Sequence, residues 1–145
     1  MGFKTKSVAI VLVTLFLLPL IALQPVNSQG QSPQITISTD GSVVGTNTII
    51  QNGNTYTLTN NLTVPIVIEK DNIVLDGAGF TIQGSGSYYM SNFLPPENTN
   101  TTAISVDKLE NITIRDMRIT NFGTGIAING SRNCLVTNNT LYNRR

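Results

Sequence analysis

The feature that most constrains the fold is a repeat of 22 residues in the C-terminal part of the chain. When residues 103–121 are shifted onto residues 125–143, apolar residues fall on apolar residues and asparagines fall on asparagines. A unit of this length cannot bury its own apolar face, so successive units must stack to form a core. The matched pairs are Ile104 with Ile126, Val106 with Ile128, Asn111 with Asn133, Ile112 with Cys134, Ile114 with Val136, Ile119 with Leu141, and Asn121 with Asn143.

An earlier copy of the repeat lies in the segment PIVIEKDNIVLDGAGFTIQG. An insertion of residues 85–101 separates it from the next copy. Each copy contains short apolar runs with period-two alternation, which is typical of strands with one buried face. Like residues stack in columns if strands of successive units pair in parallel, about 4.8 Å apart. The sequence therefore predicts an all-β fold, a right-handed parallel β-helix of about three to four coils. Ile66 and Ile68 take the positions of Ile104 and Val106, while Asn72, Ile73 and Leu75 take those of Asn111, Ile112 and Ile114.

The N-terminal segment has the pattern of a secretory signal peptide. Lys4 and Lys6 precede an apolar run from Val8 to Leu23, and small residues follow it. The alternative is an uncleaved membrane anchor, but the run is shorter than the roughly 20 residues that span a bilayer. We expect residues 1–28 to be removed, with a cut after Ser28, and the mature protein to be secreted or held at the cell surface. Residues 29–53 then form a lead-in with cap strands, and residues 54–145 form the repeats.

Composition excludes several classes of function. The chain has 145 residues, a formal net charge of +1, 12% charged residues, no histidine and a single cysteine. So weak a charge offers no basic surface for nucleic acid. Without histidine there is no imidazole base and no histidine-based metal site. We therefore expect no metal, no cofactor and no nucleic-acid partner. Cys134 occupies an apolar column and is predicted to be a small buried side chain rather than a nucleophile.

Two stretches resemble a known family. NITIRDMRITNFGTGIAINGSRNCLVTNNTLYN and NIVLDGAGFTIQG are similar to the right-handed parallel β-helix repeats of the NosD-like and pectate-lyase-like families, over roughly residues 54–143. The resemblance implies an exported, often archaeal, protein. It also implies longer chains than this one, so we expect a truncated product or a fragment of a larger protein. These repeats specify fold better than activity, since they carry lyases, hydrolases, binding modules and structural stalks.

Three acidic residues are the weak candidates for catalysis: Asp71, Glu110 and Asp116. Stacking aligns Asp71 with Glu110, and the next coil offers Arg132 at the same position. We interpret this column as alternating surface charge and Asp116 as part of a solvated turn. We therefore predict no catalytic residue.

The insertion contains the candidate ligand-binding residues Tyr88, Tyr89 and Phe93. Aromatic rings can stack on sugar faces, which makes a polysaccharide or cell-surface glycan the candidate partner. The alternative is that these rings fold back onto the neighbouring coil.

Asparagines recur at the corners of the predicted coils and suit left-handed turn ladders. Five asparagines also begin N-x-[ST] glycosylation sequons: Asn61, Asn100, Asn111, Asn129 and Asn138. Asn111 is expected in a ladder, which leaves Asn100, in the insertion, as the favoured acceptor.

Three functions remain open at this point. The first is an exported, non-catalytic module that binds glycans or builds cell-surface structure. The second is a fragment of a polysaccharide lyase or hydrolase. The third is a NosD-like accessory protein for copper-site maturation, although no histidine is present and Met90 and Met117 are the only methionines beyond residue 28. The last coil has no cover, so we also expect end-to-end self-association, aggregation or fraying from about Asn133.

Overall fold

The computed structural model describes residues 32–85 and 102–142. These residues form short β-strands and no helix, which confirms the predicted all-β class. The strands are β1 (Ile35–Ile37), β2 (Val43–Val44), β3 (Ile49–Asn52), β4 (Thr55–Leu58), β5 (Ile66–Ile68), β6 (Ile73–Asp76), β7 (Thr81–Gln83), β8 (Thr102–Asp107), β9 (Ile112–Arg115), β10 (Arg118–Thr120), β11 (Thr124–Asn129), β12 (Leu135–Thr137) and β13 (Thr140–Tyr142).

The strands belong to three sheets in which parallel pairing dominates. The sheet orders are β11-β8-β5-β1-β2, β12-β9-β6-β4-β3 and β13-β10-β7. From β5 onward, three consecutive strands contribute one strand to each sheet, and the next three repeat the pattern. We call these groups layers: β5 to β7 form layer 2, β8 to β10 layer 3, and β11 to β13 layer 4. Layer 1 consists of β1, β4 and Leu62, which bridges in parallel to Ile82 of β7.

The register matches the columns predicted from the repeat. Ile66 pairs with Ile104, which pairs with Ile126. Leu75 pairs with Ile114, which pairs with Val136. These pairings confirm the predicted columns through Ile66, Ile68 and Leu75. Ile73 pairs with Ile112, whereas Cys134 lies one residue before β12. The third sheet adds a column in which Ile119 lies between Ile82 and Leu141.

The core lies between the three sheets and is apolar. In β5, β6 and β9 the burial pattern alternates along the strand, so every second side chain points inward. The inward isoleucines of layers 2 and 3 are 0–2% exposed. Met117 and Phe122 are buried, while Phe80 is half-buried against the same cluster. Burial of these side chains is the main source of stability that this fold can draw on.

Layer 4 is much less protected. Val136 is 44% exposed and Leu141 54% exposed, although their partners Ile114 and Ile119 are buried. Cys134 was predicted to be a small buried side chain; it packs against the core but is only half-buried. Cys134 belongs to layer 4, and among the described residues only layer 3 pairs with that layer. Among residues 32–85 and 102–142, no strand lies beyond layer 4 in any of the three sheets.

The N-terminal end is built differently. Strand β1 pairs in parallel with β5, so parallel pairing already begins within residues 29–53. Strand β2 then pairs antiparallel with β1, and β3 pairs antiparallel with β4. These two strands lie at the outer edges of the first and second sheets.

Candidate functional site

The first candidate site is the corner that precedes β6, β9 and β12. The Asp71 Oδ1 accepts a hydrogen bond of 2.7 Å from the backbone N–H of Glu110. The Glu110 Oε1 lies 3.7 Å from Nη1 of Arg132, and both side chains are more than half exposed. The structure thus brings Asp71, Glu110 and Arg132 into one column, in the order expected from the repeat. An exposed ion pair at this distance contributes little to stability.

An asparagine ladder runs beside this column. Asn111 Nδ2 donates to Asn72 Oδ1 over 2.7 Å, and Asn133 Nδ2 donates to Asn111 Oδ1 over 3.3 Å. All three residues have left-handed φ angles of 52–58°. The ladder predicted for Asn72, Asn111 and Asn133 is confirmed. For the second ladder, Asn121 is left-handed, whereas Asn143 lies outside the described residues.

A second polar cluster lies at the other end of the same strands. Arg115 Nη2 is 2.7 Å from Asp76 Oδ2. Asn138 Nδ2 donates a 2.6 Å bond to Asp116 Oδ1, and Arg115 Nε lies 3.7 Å from the other Asp116 oxygen. Asp116 is therefore held by a residue of its own layer and by one of layer 4.

The structure does not bring all three candidate acids together. Glu110 and Asp116 lie beyond opposite ends of β9, whose four residues alone span about 13 Å at 3.3 Å per residue. Two carboxyl groups that share glycosidic chemistry lie about 5–9.5 Å apart. Asp116 is therefore too far from the Asp71–Glu110 column to complete such a pair.

The sequon asparagines differ in how their side chains are used. Asn61 Oδ1 accepts a bond from the Thr81 N–H, Asn111 is in the ladder, and Asn138 binds Asp116. Asn129 is exposed, and its side chain makes no hydrogen bond within the described residues. Asn100 lies outside those residues, as do the candidate glycan-binding residues Tyr88, Tyr89 and Phe93.

Sequence reasoning missed a polar anchor in layer 1. Tyr56 is fully buried, and its hydroxyl donates a 2.9 Å bond to the Gly41 carbonyl while accepting one from Gln51. Burial raises the pKa of Tyr56, and the nearby charge of Asp40 raises it further. Hydrogen bonds from the backbone and hydroxyl of Ser42 lower the pKa of Asp40. This contact fastens the Asp40–Ser42 turn to the core, and no local motif in the sequence signals it.

Asn139 was also missed. Its Nδ2 donates to the Ile114 carbonyl over 2.8 Å, and its Oδ1 accepts from the Met117 N–H over 3.2 Å. It therefore ties the end of layer 4 to the backbone of layer 3. Apart from the polar residue type at position 139, the sequence contains no signal for this contact.

A shallow cavity of about 150 Å³ opens at layer 4. Its lining includes Ile119, Phe122, Leu141 and Tyr142. Leu141 and Tyr142 are both more than half exposed. The cavity therefore adjoins the half-exposed apolar side chains of layer 4.

Two further observations concern metals and membranes. Within the described part of the chain, no three side chains of Cys, Asp or Glu come close enough together to hold a metal ion. In residues 32–85 and 102–142 there is also no helix long and apolar enough to cross a bilayer.

Comparisons with protein-family models, with curated proteins and with solved structures find no match for this chain.

Proposed function

We propose that this chain is a non-catalytic module of an exported parallel β-helix that builds cell-surface structure. One observation carries the proposal: each candidate carboxyl group is engaged by a residue of the next layer. Asp71 binds the Glu110 N–H, Glu110 faces Arg132, and Asp116 binds Asn138. A carboxyl group that already bonds a neighbouring layer is a poor candidate for moving protons to and from a substrate.

The winding is part of the same proposal. The strands of layers 2, 3 and 4 enter the three sheets in the same chain order, and successive layers pair in parallel. A chain that circulates in one sense produces this order, and parallel strands of one sheet are almost always connected with a right-handed crossover. These facts support a right-handed parallel β-helix similar to the repeats of the NosD-like and pectate-lyase-like families.

Glycan binding is the second candidate function. Three aromatic side chains, Tyr88, Tyr89 and Phe93, occur in the segment between β7 and β8, where the repeat is interrupted. Segments that interrupt a repeat often carry the binding surface of such proteins. A glycan-binding module would remain non-catalytic and exported.

The first experiment incubates the purified chain with pectins, uronates and neutral glycans and measures both turnover and binding. We expect no turnover. Turnover that is lost in Asp71→Asn or Glu110→Gln would overturn the non-catalytic proposal and favour a fragment of a polysaccharide lyase or hydrolase. For binding, Tyr88→Ala/Tyr89→Ala is compared with Tyr142→Ala, a matched aromatic removal at an exposed position of β13. Glycan binding by Tyr88→Ala/Tyr89→Ala that equals binding by the unaltered chain would eliminate the insertion as the glycan site.

A second experiment tests export. The protein from its native source should begin near Gln29, because the signal-peptide pattern ends at Ser28. N-terminal sequencing that finds Met1 in the mature protein would contradict removal of residues 1–28.

A further inference from the structure

We propose that Asn52 is a site of spontaneous deamidation, in which the backbone nitrogen of Gly53 attacks the Asn52 side chain. Asn52 is the last residue of β3, and Gly53 follows it in the turn to β4. The reaction needs only water, so the inference goes beyond the proposed function and does not depend on it.

The reaction balances without a cofactor. The Gly53 nitrogen forms a bond to Cγ of Asn52 and loses its proton, while the Cγ–Nδ2 bond breaks and Nδ2 leaves with that proton as ammonia. The product is a five-membered succinimide ring. Water then opens the ring at either carbonyl carbon and gives aspartate, or isoaspartate, in which the main chain runs through Cβ and Cγ. This chemistry contributes to the thermal lability of asparagine in proteins.

Four dipeptides in the chain have the composition that forms such a ring most readily. A following glycine offers the least hindrance, because it has no side chain beside the attacking nitrogen. The sequence alone does not rank the four, so the choice among them rests on the structure. They are Asp40–Gly41, Asn52–Gly53, Asp76–Gly77 and Asn129–Gly130.

The two Asp-Gly pairs are blocked by hydrogen bonds from the attacking nitrogen. The Gly41 N–H donates to the Ser38 carbonyl over 2.8 Å. The Gly77 N–H donates to the Arg115 carbonyl, also over 2.8 Å. An aspartate is in addition a poorer target for the nitrogen than a neutral amide is, because its carboxyl group is ionised at neutral pH. We therefore expect neither pair to react readily in the folded chain.

The Asn129–Gly130 pair is held through its own peptide group. The Asn129 carbonyl accepts a 2.8 Å bond from the Lys108 N–H and a 3.1 Å bond from the Ser131 hydroxyl. Bringing the Gly130 nitrogen to the Asn129 side chain requires this peptide group to rotate, and both bonds oppose the rotation. A Cβ on Gly130 would also lie only 3.4 Å from the Lys108 side chain, so the space there is narrow. We therefore expect Asn129 to react slowly in the folded chain.

Fewer restraints act on Asn52 and Gly53. Asn52 is exposed, and neither its side chain nor the Gly53 N–H makes a hydrogen bond within the described residues. Gly53 has a φ of 60° while Asn54 is not left-handed, which is the pattern of a type II′ hairpin turn. Among the described residues, and apart from the chain neighbours, nothing lies within 4 Å of where a Gly53 Cβ would be. The pair of Asn52 with Thr55 is the last of the hairpin, so it opens more easily than an interior pair.

The modification acts on the buried anchor of layer 1. Gln51 Nε2 donates to the Gly53 carbonyl over 3.1 Å and to the Tyr56 hydroxyl over 3.0 Å. Isoaspartate at position 52 inserts one extra carbon into the main chain beside Gly53 and displaces that carbonyl from Gln51. When Gln51 moves, the Tyr56 hydroxyl loses a donor, and the hairpin of β3 and β4 should open more often. Deamidation at Asn52 thus loosens layer 1.

The experiment follows both Asn-Gly pairs in one sample. The purified chain is incubated at mildly alkaline pH, either folded or in urea, and mass spectrometry measures the mass gain of deamidation in the peptides that contain Asn52 and Asn129. Labelling with an isoaspartyl methyltransferase identifies isoaspartate. In the folded chain we expect Asn52 to react several-fold faster than Asn129. In urea the two should react at similar rates, because a glycine follows both.

Equal rates at the two sites in the folded chain, or a faster reaction at Asn129, would overturn the proposal. A folded chain that stays unmodified at Asn52 while the urea sample reacts would overturn it as well. Asn52→Gln is the control for the assignment, because the longer side chain would have to close a six-membered ring. In that variant the mass gain of the β3–β4 peptide should disappear.

A second variant tests the physical cause of the ranking. Ser131→Ala removes one bond to the Asn129 carbonyl and should speed the reaction at Asn129 several-fold, without a change at Asn52. Circular dichroism checks that the variant folds. An unchanged rate at Asn129 in the folded variant would contradict the role given to these hydrogen bonds.

Hydrogen exchange tests the effect on layer 1. Incubated protein that contains isoaspartate is compared with Asn52→Asp, which adds the same charge without the extra carbon. Residues 49–58 should exchange faster in the isoaspartate form than in Asn52→Asp, and equal exchange would contradict the effect on the Tyr56 anchor. None of these measurements reads turnover or glycan binding, so a failure here leaves the proposed function standing.

Discussion

Asn111 donates a hydrogen bond of 2.7 Å from its Nδ2 to the Oδ1 of Asn72, and both residues hold a left-handed φ of 58°. The two properties reinforce each other. Asparagine tolerates the left-handed backbone that turns the chain at the corner, and its amide then links one layer to the next. The same residue type thus fixes both the turn and the register.

The first prediction separates these two contributions at Asn111. Asn111→Gly keeps the left-handed turn but removes the amide bonds to Asn72 and Asn133, which should lower the free energy of unfolding by about 1 kcal/mol. Asn111→Ala also forces a Cβ into the left-handed region, at a further cost of about 1–2 kcal/mol. Urea denaturation of the two variants measures the difference. Equal stabilities would show that the backbone conformation contributes nothing at this corner.

The second prediction concerns the inward column of the second sheet. Ile114→Asp should abolish folding, because Ile114 is fully buried and an unpaired carboxyl group in an apolar core costs several kcal/mol. The total stability of a small domain is only about 5–15 kcal/mol. Thr113→Asp is the matched control, since it introduces the same group one residue earlier on the outer face of β9. A folded Ile114→Asp by circular dichroism and thermal melting would refute the assigned core.

The third prediction concerns local stability. In the monomer the amides of residues 135–141 should exchange faster than those of residues 112–119, because Val136 and Leu141 are about half exposed whereas Ile114 and Ile119 are buried. Hydrogen exchange of a dilute sample measures the difference. Equal protection of the two segments in a dilute sample would show that layer 4 does not fray.

The fourth prediction concerns alkaline pH. Burial raises the pKa of Tyr56 above its usual value of about 10, so the folded state favours the protonated phenol. This contribution to stability is complete below pH 10 or so and is lost as the pH rises through the folded pKa. Tyr56→Phe should lose the bond to Gly41 and also flatten the decline of stability above about pH 10. The control Tyr142→Phe, at an exposed tyrosine, should keep the decline. Thermal melting across pH 8–11 distinguishes the two.

Much of the parallel register could be predicted from the sequence, because residues with the same environment recur at fixed spacing. The pairs Ile104–Ile126 and Ile114–Val136 follow from this recurrence alone. The pairing of Ile35 with Ile66 could not be predicted in the same way. Residues 38–54, which contain the antiparallel strands β2 and β3, lie between β1 and β4. They lengthen the segment between Ile35 and Ile66, so the repeat spacing is not visible there.

The sequence predicted which polar residues share a column, but it did not predict which atoms form the hydrogen bonds. Alignment places Asp71 beside Glu110, but the bond that forms joins the Asp71 carboxylate to a backbone N–H rather than to the other side chain. The anchor formed by Tyr56 spans fifteen residues and depends on how the Asp40–Ser42 turn folds over the core. Contacts of this kind depend on side-chain rotamers and loop paths, for which a repeat gives no information.

The unlike ends of the layer stack have a consequence for how the protein forms during synthesis. The end finished by β2 and β3 precedes layers 2 to 4 in the chain, so it leaves the ribosome before them. Once it has formed, it presents β1 and β4 as a template on which each later layer pairs as it emerges. Every step then closes contacts only with the layer before it, and growth proceeds in one direction. Assembly would in this way be vectorial, with the growing edge always at the most recently made strands.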